Sequence, residues 1–235
     1  MLLEARDIHA GYGKIEILRG ISLKIDIGQV VSIIGPNGAG KSTMFKAIFG
    51  LLRVTSGNVI FEGRDLTNAA PSTLLEAGIA FVPQGRNVFP LMSVDQNLRL
   101  GAYIRKDGPE LEADIANIYE IFPMLKQARE KRAADLSGGQ QQMLEMGRSM
   151  LLSPKLLLLD EPTLGLAPIV FKEIFRMIEK LRERGQTILM VEQNASQALD
   201  ISDYAYVLEL GKNKFEGTGT EIQSDARIRK LYLGR

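Results

Sequence analysis

A glycine-rich stretch near the amino terminus has the residue types and spacing of a phosphate-binding loop, or P-loop. In such a loop the glycines let consecutive backbone N–H groups turn inward around an anion, and the following helix adds the partial positive charge of its first turn. Lys41 can reach the terminal phosphates of a nucleotide, and the Ser42 hydroxyl can ligate Mg²⁺. The candidate residues are Gly35, Pro36, Asn37, Gly38, Ala39, Gly40, Lys41, Ser42 and Thr43.

The flanking segments favour this interpretation over a glycine-rich turn that matches the pattern by chance. Val30–Ile34 is a short apolar run that predicts a buried strand. Residues 44–49 are apolar at helical spacing, and Gly50 can end that helix. Strand, loop and helix in this order are the context that a P-loop requires.

Two carboxylates follow a second predicted strand, the leucine run at residues 156–159. Because parallel sheets bind ligands at the carboxyl ends of their strands, we expect Asp160 to hold Mg²⁺ opposite Ser42, directly or through water. Glu161 can then accept a proton from the water that attacks the γ-phosphate. Taken alone, the pair is also compatible with solvated acids at a strand end, and the P-loop favours the catalytic interpretation.

A second candidate anion site precedes the helical run at residues 141–152. A serine hydroxyl and two glycine N–H groups at a helix start can bind an anion. The same residues can instead be a serine N-cap followed by a flexible turn, and local physics does not separate the two interpretations. The residues are Leu136, Ser137, Gly138, Gly139 and Gln140.

Composition excludes several classes of chemistry. The chain has 235 residues, of which 45% are hydrophobic and 24% charged, as in an ordinary globular protein. It has no cysteine, which excludes disulfides, thiol nucleophiles and Cys-based metal sites, and the single His9 excludes histidine clusters and is expected to be structural or at the surface. The net charge of +1 gives no reason to expect nucleic acid as a partner. With no apolar run long enough to span a membrane and no visible signal peptide, we expect the chain to reach a membrane only through a partner.

Alternating strand and helix patterns predict an α/β fold. We expect a P-loop NTPase with a mostly parallel core sheet, a small antiparallel β layer and an inserted helical subdomain. A single domain would span residues 1–235, with 1–85 and 153–235 forming the nucleotide-binding core and 86–152 forming the helical subdomain that carries the second anion site.

Local patterns predict the individual elements. Residues 2–27 and 58–61 predict the antiparallel layer. The other expected elements are a strand at 79–82, a helix opened by a capping box at 93–96, a helix at 110–122 stopped by Pro123, a solvated helix surface at 129–132, a helix at 168–184, a strand at 187–191, a hairpin at 204–217, and a terminal helix at 220–231 with a capping box at 220–223.

The order of the motifs resembles that of the ATP-binding subunits of ABC transporters over essentially the whole chain. It comprises Tyr12, the P-loop, Gln84, the stretch 136–140 and the strand with its acids at 156–161. A Ser-Gly-Gly-Gln sequence after a P-loop is highly specific to that family. The resemblance implies ATP and Mg²⁺ as ligands and a transport-coupled ATPase as the activity.

The resemblance also implies individual roles. Tyr12 would stack on the adenine, while the P-loop lysine and amides bind the phosphates. Ser42 and Gln84 would serve Mg²⁺, and Gln84 would lie in the loop that senses the membrane subunit. Asp160 would support the metal, and Glu161 would be the catalytic base.

In the family, the signature at residues 137–140 caps the γ-phosphate of ATP held by a second subunit. ATP then lies between two subunits in a head-to-tail dimer, so closure is tied to ATP and opening to hydrolysis. The second subunit is expected to be a related ATPase, or a copy of this chain. The further partners implied are integral membrane permease subunits and, indirectly, a periplasmic or extracellular solute-binding protein. The chain would then be peripheral, at the cytoplasmic face of the cell membrane.

Two positions depart from the family pattern. Gln193 stands where the family usually has histidine, and glutamine can donate a hydrogen bond to the γ-phosphate but accepts a proton only weakly. Ala167 stands where the family usually has aspartate. Two alternatives follow for this chain's own site: catalytic turnover in which Gln193 assists Glu161, or a site that binds ATP and dimerises but hardly hydrolyses it.

Short tags at residues 101–103, 122–123, 161–168, 191–194 and 232–234 resemble one of the two ATPases of branched-chain amino-acid importers. Urea and amide importers share much of this pattern, and an exporter ATPase is a further alternative. The absence of a long heptad insertion argues against repair ATPases of the coiled-coil type. Between residues 85 and 94, Val88, Phe89, Leu91 and Met92 either offer an apolar groove to the membrane subunit or pack in the protein core.

Overall fold

Two β-sheets and the helices around them form the fold. The computed structural model describes residues 1–103, 105 and 108–232. The strands are β1 (Leu3–Tyr12), β2 (Ile15–Ile25), β3 (Val30–Ile34), β4 (Val54–Phe61), β5 (Arg64–Asp65), β6 (Ile79–Val82), β7 (Leu156–Asp160), β8 (Thr187–Val191), β9 (Tyr204–Glu209) and β10 (Lys212–Gly217). The helices are α1 (Lys41–Ile48), α2 (Pro71–Ala77), α3 (Val94–Gly101), α4 (Pro109–Ile121), α5 (Pro123–Gln127), α6 (Gly138–Met150), α7 (Pro168–Glu183), α8 (Ala195–Ile201), α9 (Gly219–Ser224) and α10 (Ala226–Tyr232).

The larger sheet has the strand order β10-β9-β3-β8-β7-β6. All of its neighbouring strands pair in parallel except β10, which pairs antiparallel with β9. The smaller sheet, β2-β1-β4-β5, is wholly antiparallel. The helices α3 to α6 lie in the chain between β6 and β7. These features confirm the predicted α/β class, with a mostly parallel sheet, an antiparallel layer and a helical insertion.

The central strands are buried on both faces, which explains their continuous apolar sequences. Successive side chains of a strand point to opposite faces, and here they enter two different hydrophobic clusters. In β7, Leu157 and Leu159 belong to the cluster that includes the helices α3 to α8, whereas Leu156 and Leu158 belong to the cluster with α1 and the antiparallel layer. The parallel sheet is therefore the shared wall of both cores.

This topology brings three loops together. The P-loop follows β3, Asp160 and Glu161 end and follow β7, and Gln193 follows β8. Since β8 lies between β3 and β7 and all three strands are parallel, their carboxyl ends meet at one edge of the sheet. Within the described residues, no helix has both the length and the apolar character needed to cross a membrane.

Several local predictions are confirmed. Ser93 caps α3 with a full capping box: the Gln96 N–H donates to Ser93 Oγ at 3.1 Å, and the Ser93 N–H donates to Gln96 Oε1 at 2.9 Å. Pro168 occupies the first turn of α7, as predicted. The hairpin of β9 and β10 closes the larger sheet at its antiparallel edge.

The helix α4 ends at Ile121, before Pro123, as predicted, and Pro123 then begins α5, since its fixed φ and missing N–H suit the first position of a helix. Two local predictions are wrong in detail. Residues 129–132 form a turn, held by backbone bonds such as that from Lys131 N–H to Ala128 O at 2.8 Å, and are not a helix surface. Near the carboxyl terminus the capping box is Thr218 with Glu221, and two short helices replace the single predicted one. Residues 233 and 234 of the last sequence tag lie outside the described part of the chain.

We expect Phe45→Ala to lower the free energy of unfolding by about 3–5 kcal/mol. Phe45 on α1 has no exposed surface and packs edge-on against Phe81, with ring centroids 6.1 Å apart. Urea unfolding, with an unchanged slope, measures the loss. Leu91→Ala, at a side chain that is 80% exposed, is the control and should change stability by less than about 0.5 kcal/mol. A Phe45→Ala loss no larger than that of the control would contradict this packing.

Candidate active site

The P-loop turns tightly between β3 and α1, and glycine makes that turn possible. Gly40, the N-cap of α1, has a φ of 103°, which side chains other than glycine rarely adopt. A Cβ on Gly35 would lie 2.3 Å from the Leu208 carbonyl oxygen, so β9 can approach the loop only because Gly35 has no side chain. The loop therefore presents its backbone N–H groups at the start of α1.

Lys41 is almost entirely buried, with 5% of its surface exposed, and folds back over its own loop. Its Nζ donates to Gly35 O at 2.9 Å and to Pro36 O at 3.1 Å. Burial lowers the pKa of Lys41, and the negative charges of Glu161 and Asp160 oppose that shift. These carbonyl contacts satisfy the ammonium group in a position from which phosphate oxygens can replace them.

Ser42 and Asp160 meet across the carboxyl ends of β3 and β7. Ser42 Oγ donates to Asp160 Oδ1 at 2.8 Å, and Asp160 is only 3% exposed. Burial raises the pKa of Asp160, while the hydrogen bond from Ser42 lowers it. A hydroxyl and a carboxylate oxygen are the hard ligands that Mg²⁺ prefers.

The donor set fits Mg²⁺ only in part. Among the described residues, no cluster of three or more His, Cys, Asp or Glu side chains can hold a metal ion. Mg²⁺ is typically bound by one or two protein ligands together with substrate phosphates and water. Ser42, Asp160 and the nearby Gln84 fit that incomplete arrangement, in which the nucleotide supplies the remaining ligands.

Glu161 adopts a left-handed conformation, with a φ of 48°, directly after β7. Such strain in a residue other than glycine is concentrated at functional sites. The Glu161 N–H donates to Val191 O at 2.9 Å, which ties the residue to the end of β8. Its Oε2 accepts a hydrogen bond from Gln84 Nε2 at 3.3 Å. The carboxylate is thereby aimed into the space above the P-loop.

A cavity of about 320 Å³ brings most of the predicted residues together. It is lined by Asn37, Gly38, Gly40, Lys41, Ser42, Thr43, Gln84, Glu161, Leu164 and Gln193. Asp160 lies beneath it through its bond to Ser42. Leu164, 47% exposed, is a lining residue that sequence reasoning did not single out, because an isolated leucine in a loop carries no chemical signal.

Tyr12 does not line this cavity. It ends β1, is 48% exposed, and its ring centroid lies 6.0 Å from Lys46 Nζ on α1. Its exposed ring stands on the antiparallel layer, beside the helix that begins with Lys41. The structure thus presents an aromatic face near the P-loop helix but outside the phosphate cavity.

The signature residues also lie outside the cavity, at the start of α6. Ser137 Oγ accepts from the Gln140 N–H at 3.3 Å, and Gln140 Oε1 accepts from the Ser137 N–H at 2.9 Å. The serine N-cap is therefore present. Gly138 and Gly139 occupy the first turn, where N–H groups have no partner within the helix. A cap and an anion site are compatible at this helix start.

Neighbouring side chains pack tightly against these two glycines. A Cβ on Gly138 would lie 2.7 Å from an Arg86 guanidinium nitrogen, and a Cβ on Gly139 would lie 2.3 Å from a Val170 methyl carbon. A side chain at Gly139 would therefore displace Val170, whereas at Gly138 the flexible end of the Arg86 side chain could move aside. The contact also places the cationic Arg86 beside the partly buried first turn of α6.

One buried acid escaped the sequence reasoning. Glu192, directly after β8, is 1% exposed and accepts hydrogen bonds from Thr163 and from the backbone N–H groups of Gln193 and Asn194. Glu192 is buried because the loop after β7 packs against the loop after β8. That contact joins residues distant in the sequence, so the sequence gave no sign that Glu192 is buried.

Comparison with known proteins identifies the family. A family model described as ABC transporter matches residues 18–164. The chain belongs to the ABC transporter family. It is 44% identical over 223 residues to the high-affinity branched-chain amino acid transport ATP-binding protein BraG of Pseudomonas aeruginosa, covering 95% of each chain. It is also 33% identical to the lipopolysaccharide export system ATP-binding protein LptB of Escherichia coli K12, covering 99% of this chain and 97% of LptB.

Solved ABC cassettes share the fold. The ADP conformation of an ATP-binding cassette of an ABC transporter superposes with a TM-score of 0.89 at 31% identity, covering 100% of this chain and 99% of that one. A dimeric cassette bound to ADP and phosphate superposes with a TM-score of 0.79 at 26% identity, covering 92% and 98%. This ABC cassette is accordingly an ATP-binding ATPase of a transport system.

Proposed function

We propose that this ABC cassette hydrolyses ATP to drive an importer of branched-chain amino acids. The 44% identity to BraG over nearly the whole chain is the observation that carries the substrate class. LptB, an export ATPase at lower identity, keeps the exporter as the alternative to be tested. Importers of urea or amides are a further alternative, because their ATPases share much of the same tag pattern.

The geometry supports a specific division of labour in hydrolysis. Lys41 exchanges its two carbonyl contacts for the phosphates of ATP, and the P-loop amides surround the same oxygens. Glu161 accepts the proton of the attacking water, and the Gln193 amide donates a hydrogen bond to the γ-phosphate. Ser42, Gln84 and Asp160 would hold Mg²⁺, which would neutralise part of the phosphate charge.

The signature is proposed to act on a second subunit. Ser137, Gly138, Gly139 and Gln140 lie outside the cavity of their own chain, which supports a role in capping ATP held by a head-to-tail partner. That partner is a related ATPase or a second copy of this chain. Tyr12 stacks on the adenine, since its exposed ring stands beside the P-loop helix.

The loop after Gln84 is proposed to dock onto the permease. Phe89 and Leu91 are 45% and 80% exposed, whereas Val88 packs against the core, so only part of this stretch is available as an apolar surface. The loop is fixed to α6: Glu145 accepts from the Asn87 N–H, and the Arg148 guanidinium lies 5.4 Å from the Phe89 ring centroid. Because α6 begins at the signature, a movement of the docking loop would shift α6 and thereby the signature that caps the partner's ATP.

The remaining proposals concern organisation and location. Residues 1–85 and 153–235 form the nucleotide-binding core, and residues 86–152 form a helical subdomain. The assembled cassette is peripheral, on the cytoplasmic face of the cell membrane. A solute-binding protein communicates with it only through the permease, and nucleic acid is not a partner.

Reconstitution tests the substrate class. The cassette is assembled with its permease and binding protein in liposomes, and ATP hydrolysis is followed with leucine, isoleucine, valine, urea or acetamide supplied to the binding protein. We expect the three branched-chain amino acids alone to stimulate hydrolysis and to accumulate. Stimulation by urea or acetamide, or assembly only with an export permease, would replace the proposed substrate.

Gln193 lines the same cavity as Glu161. This position favours a site in which Gln193 assists hydrolysis over a site that binds ATP but hardly hydrolyses it. We expect the site to release phosphate in a single turnover when the partner's site carries a disabled catalytic base. Gln193→Ala should slow that turnover by about tenfold or more, since a hydrogen bond to a charged group is lost. Absence of phosphate release from the unmodified site would instead make this cassette the binding half of a heterodimer.

A further inference from the structure

Glu192 is a buried carboxylate whose hydrogen-bond partners all lie in the two loops that flank the site. Its Oε1 accepts from the Thr163 N–H at 3.2 Å and from the Thr163 hydroxyl at 2.9 Å. Its Oε2 lies 3.0 Å from the same hydroxyl, and accepts from the Gln193 N–H at 3.2 Å and the Asn194 N–H at 3.4 Å. Both oxygens are therefore engaged.

These contacts join the loop after β7 to the loop after β8. Thr163 is 3% exposed and lies two positions after Glu161, and Gln193 directly follows Glu192. An ionised carboxylate is the only side chain that accepts at both ends without donating, so it suits a position surrounded by N–H and O–H donors. A single acid thus fixes the residues that follow both strands.

Apolar packing does not provide this connection. A cavity of about 310 Å³ lies between the two loops, and Glu192 is in its wall. The other lining residues are Glu161, Thr163, Leu164, Gly165, Phe171, Gln193 and Asn194. The backbone bond from the Glu161 N–H to Val191 O joins the two loops at their start. Beyond it, open space separates much of the loops, and the hydrogen bonds of Glu192 connect them.

Keeping an acid in this place is costly. Burial raises the pKa of Glu192 to about 7, and the hydrogen bonds from Thr163 and Asn194 only partly oppose that shift. The nearby Glu161 carboxylate acts in the same direction as burial. A neutral side chain would cost less free energy to bury, so a contribution to folding stability does not explain why glutamate occupies this position.

We propose that Glu192 is a positioning residue for ATP hydrolysis, which holds Glu161 and Gln193 in register by locking Thr163 to the β8 loop. The inference rests on the roles proposed above for Glu161 and Gln193. Glu192 itself does not line the phosphate cavity, so it acts through these neighbours and not on ATP. ATP binding through Lys41 is independent of it.

The test is steady-state hydrolysis by the assembled transporter carrying Glu192→Gln. The amide keeps one acceptor oxygen, but its NH₂ group faces N–H or O–H donors. The hydrogen bonds to one of the two loops are therefore lost. We expect kcat to fall roughly 10- to 100-fold, as for a misplacement of about 1 Å, with the KM for ATP changed less than about twofold. Glu192→Asp keeps both acceptors and should recover part of kcat.

Thr163→Val gives an independent measurement if Glu192→Gln folds poorly. It removes the hydroxyl from the other side of the lock and should lower kcat in the same way. The double variant should be no slower than the slower single variant, because both break the same connection. Glu179→Gln, at an exposed position of α7, is the control and should leave kcat unchanged.

The outcomes separate this inference from the proposed function. If the unmodified transporter hydrolyses ATP and both Glu192→Gln and Thr163→Val retain kcat within about twofold, Glu192 is not a positioning residue. A rise in KM at constant kcat would also overturn it, since it would indicate a role in binding. If the unmodified transporter does not hydrolyse ATP, the proposed function fails first.

Discussion

Replacing Glu161 with glutamine is expected to stop ATP hydrolysis while ATP binding remains. The amide cannot accept a proton from the attacking water, and loss of a general base typically costs about 10²- to 10⁴-fold in rate. Lys41 and the P-loop amides are untouched, so the nucleotide still binds. Without hydrolysis the ATP-bound dimer has no route to opening, and it should accumulate as a long-lived species.

Glutamine is the informative replacement at this position. Glu161 has a φ of 48°, and glutamine bears the same backbone strain as glutamate, so the change alters chemistry and not conformation. Phosphate release measures hydrolysis, and size-exclusion chromatography with ATP measures the dimer. Glu179→Gln, which neutralises an exposed acid on α7, should behave as wild type in both assays. Turnover by Glu161→Gln at the wild-type rate would assign the base to another residue.

Hydrogen bonds within the protein join the polar side chains of the site. Lys41 is bonded to carbonyls of its own loop, Ser42 to Asp160, and Glu161 to Gln84. Lys41 and Asp160 are buried, so their contacts satisfy polar groups that are withdrawn from bulk water, whereas Gln84 is exposed. These contacts hold Lys41, Ser42 and Glu161 around one cavity, where the proposed hydrolysis requires them.

Features whose signal is local can be predicted from the sequence. The P-loop and the acids after β7 were predicted because strand, glycine turn and helix follow one another within a few residues. The capping box at Ser93 was predicted for the same reason. Such features depend on neighbouring residues, and the structure places them where the pattern indicated.

Predictions that depended on tertiary contacts were less successful. The charge run at residues 129–132 predicts a helix surface. In the structure these residues form a turn, and Arg132 pairs with Ser93 in an isolated antiparallel β-bridge, which a helix would not allow. Thr218 and Thr220 both precede acceptors three positions later, and the local pattern did not reveal which one caps the helix. The link made by Glu192 joins residues 29 positions apart and follows only from the pairing of β7 with β8.

The separation of the signature from its own P-loop cavity has a consequence for regulation. Arg86, two residues after Gln84, lies against Gly138 at the start of α6. The loop proposed to contact the permease and the helix start proposed to cap the partner's ATP therefore touch within one chain. If both proposed roles hold, permease position and nucleotide closure would be joined by this direct packing, without a long path through the core.

Lys41→Ala is expected to abolish productive ATP binding. The ammonium group is withdrawn from water, and its replacement removes a charge-assisted contact to the phosphates that no other side chain of the cavity can provide. Loss of such contacts costs about 3 kcal/mol, which corresponds to a Kd for ATP raised roughly 100-fold. Equilibrium binding of a fluorescent ATP analogue, measured with and without Mg²⁺, gives the change directly.

The structure also predicts that this variant remains folded. Removing Lys41 leaves the Gly35 and Pro36 carbonyls without their ammonium partner, but it also removes a charge whose pKa burial lowers. These effects oppose each other, so thermal unfolding without nucleotide should change little, while stabilisation by ATP disappears because binding is lost. Lys172→Ala, at an exposed position of α7, should keep both the affinity and the stabilisation. An unchanged Kd for Lys41→Ala would remove the phosphate role on which the whole assignment of the cavity depends.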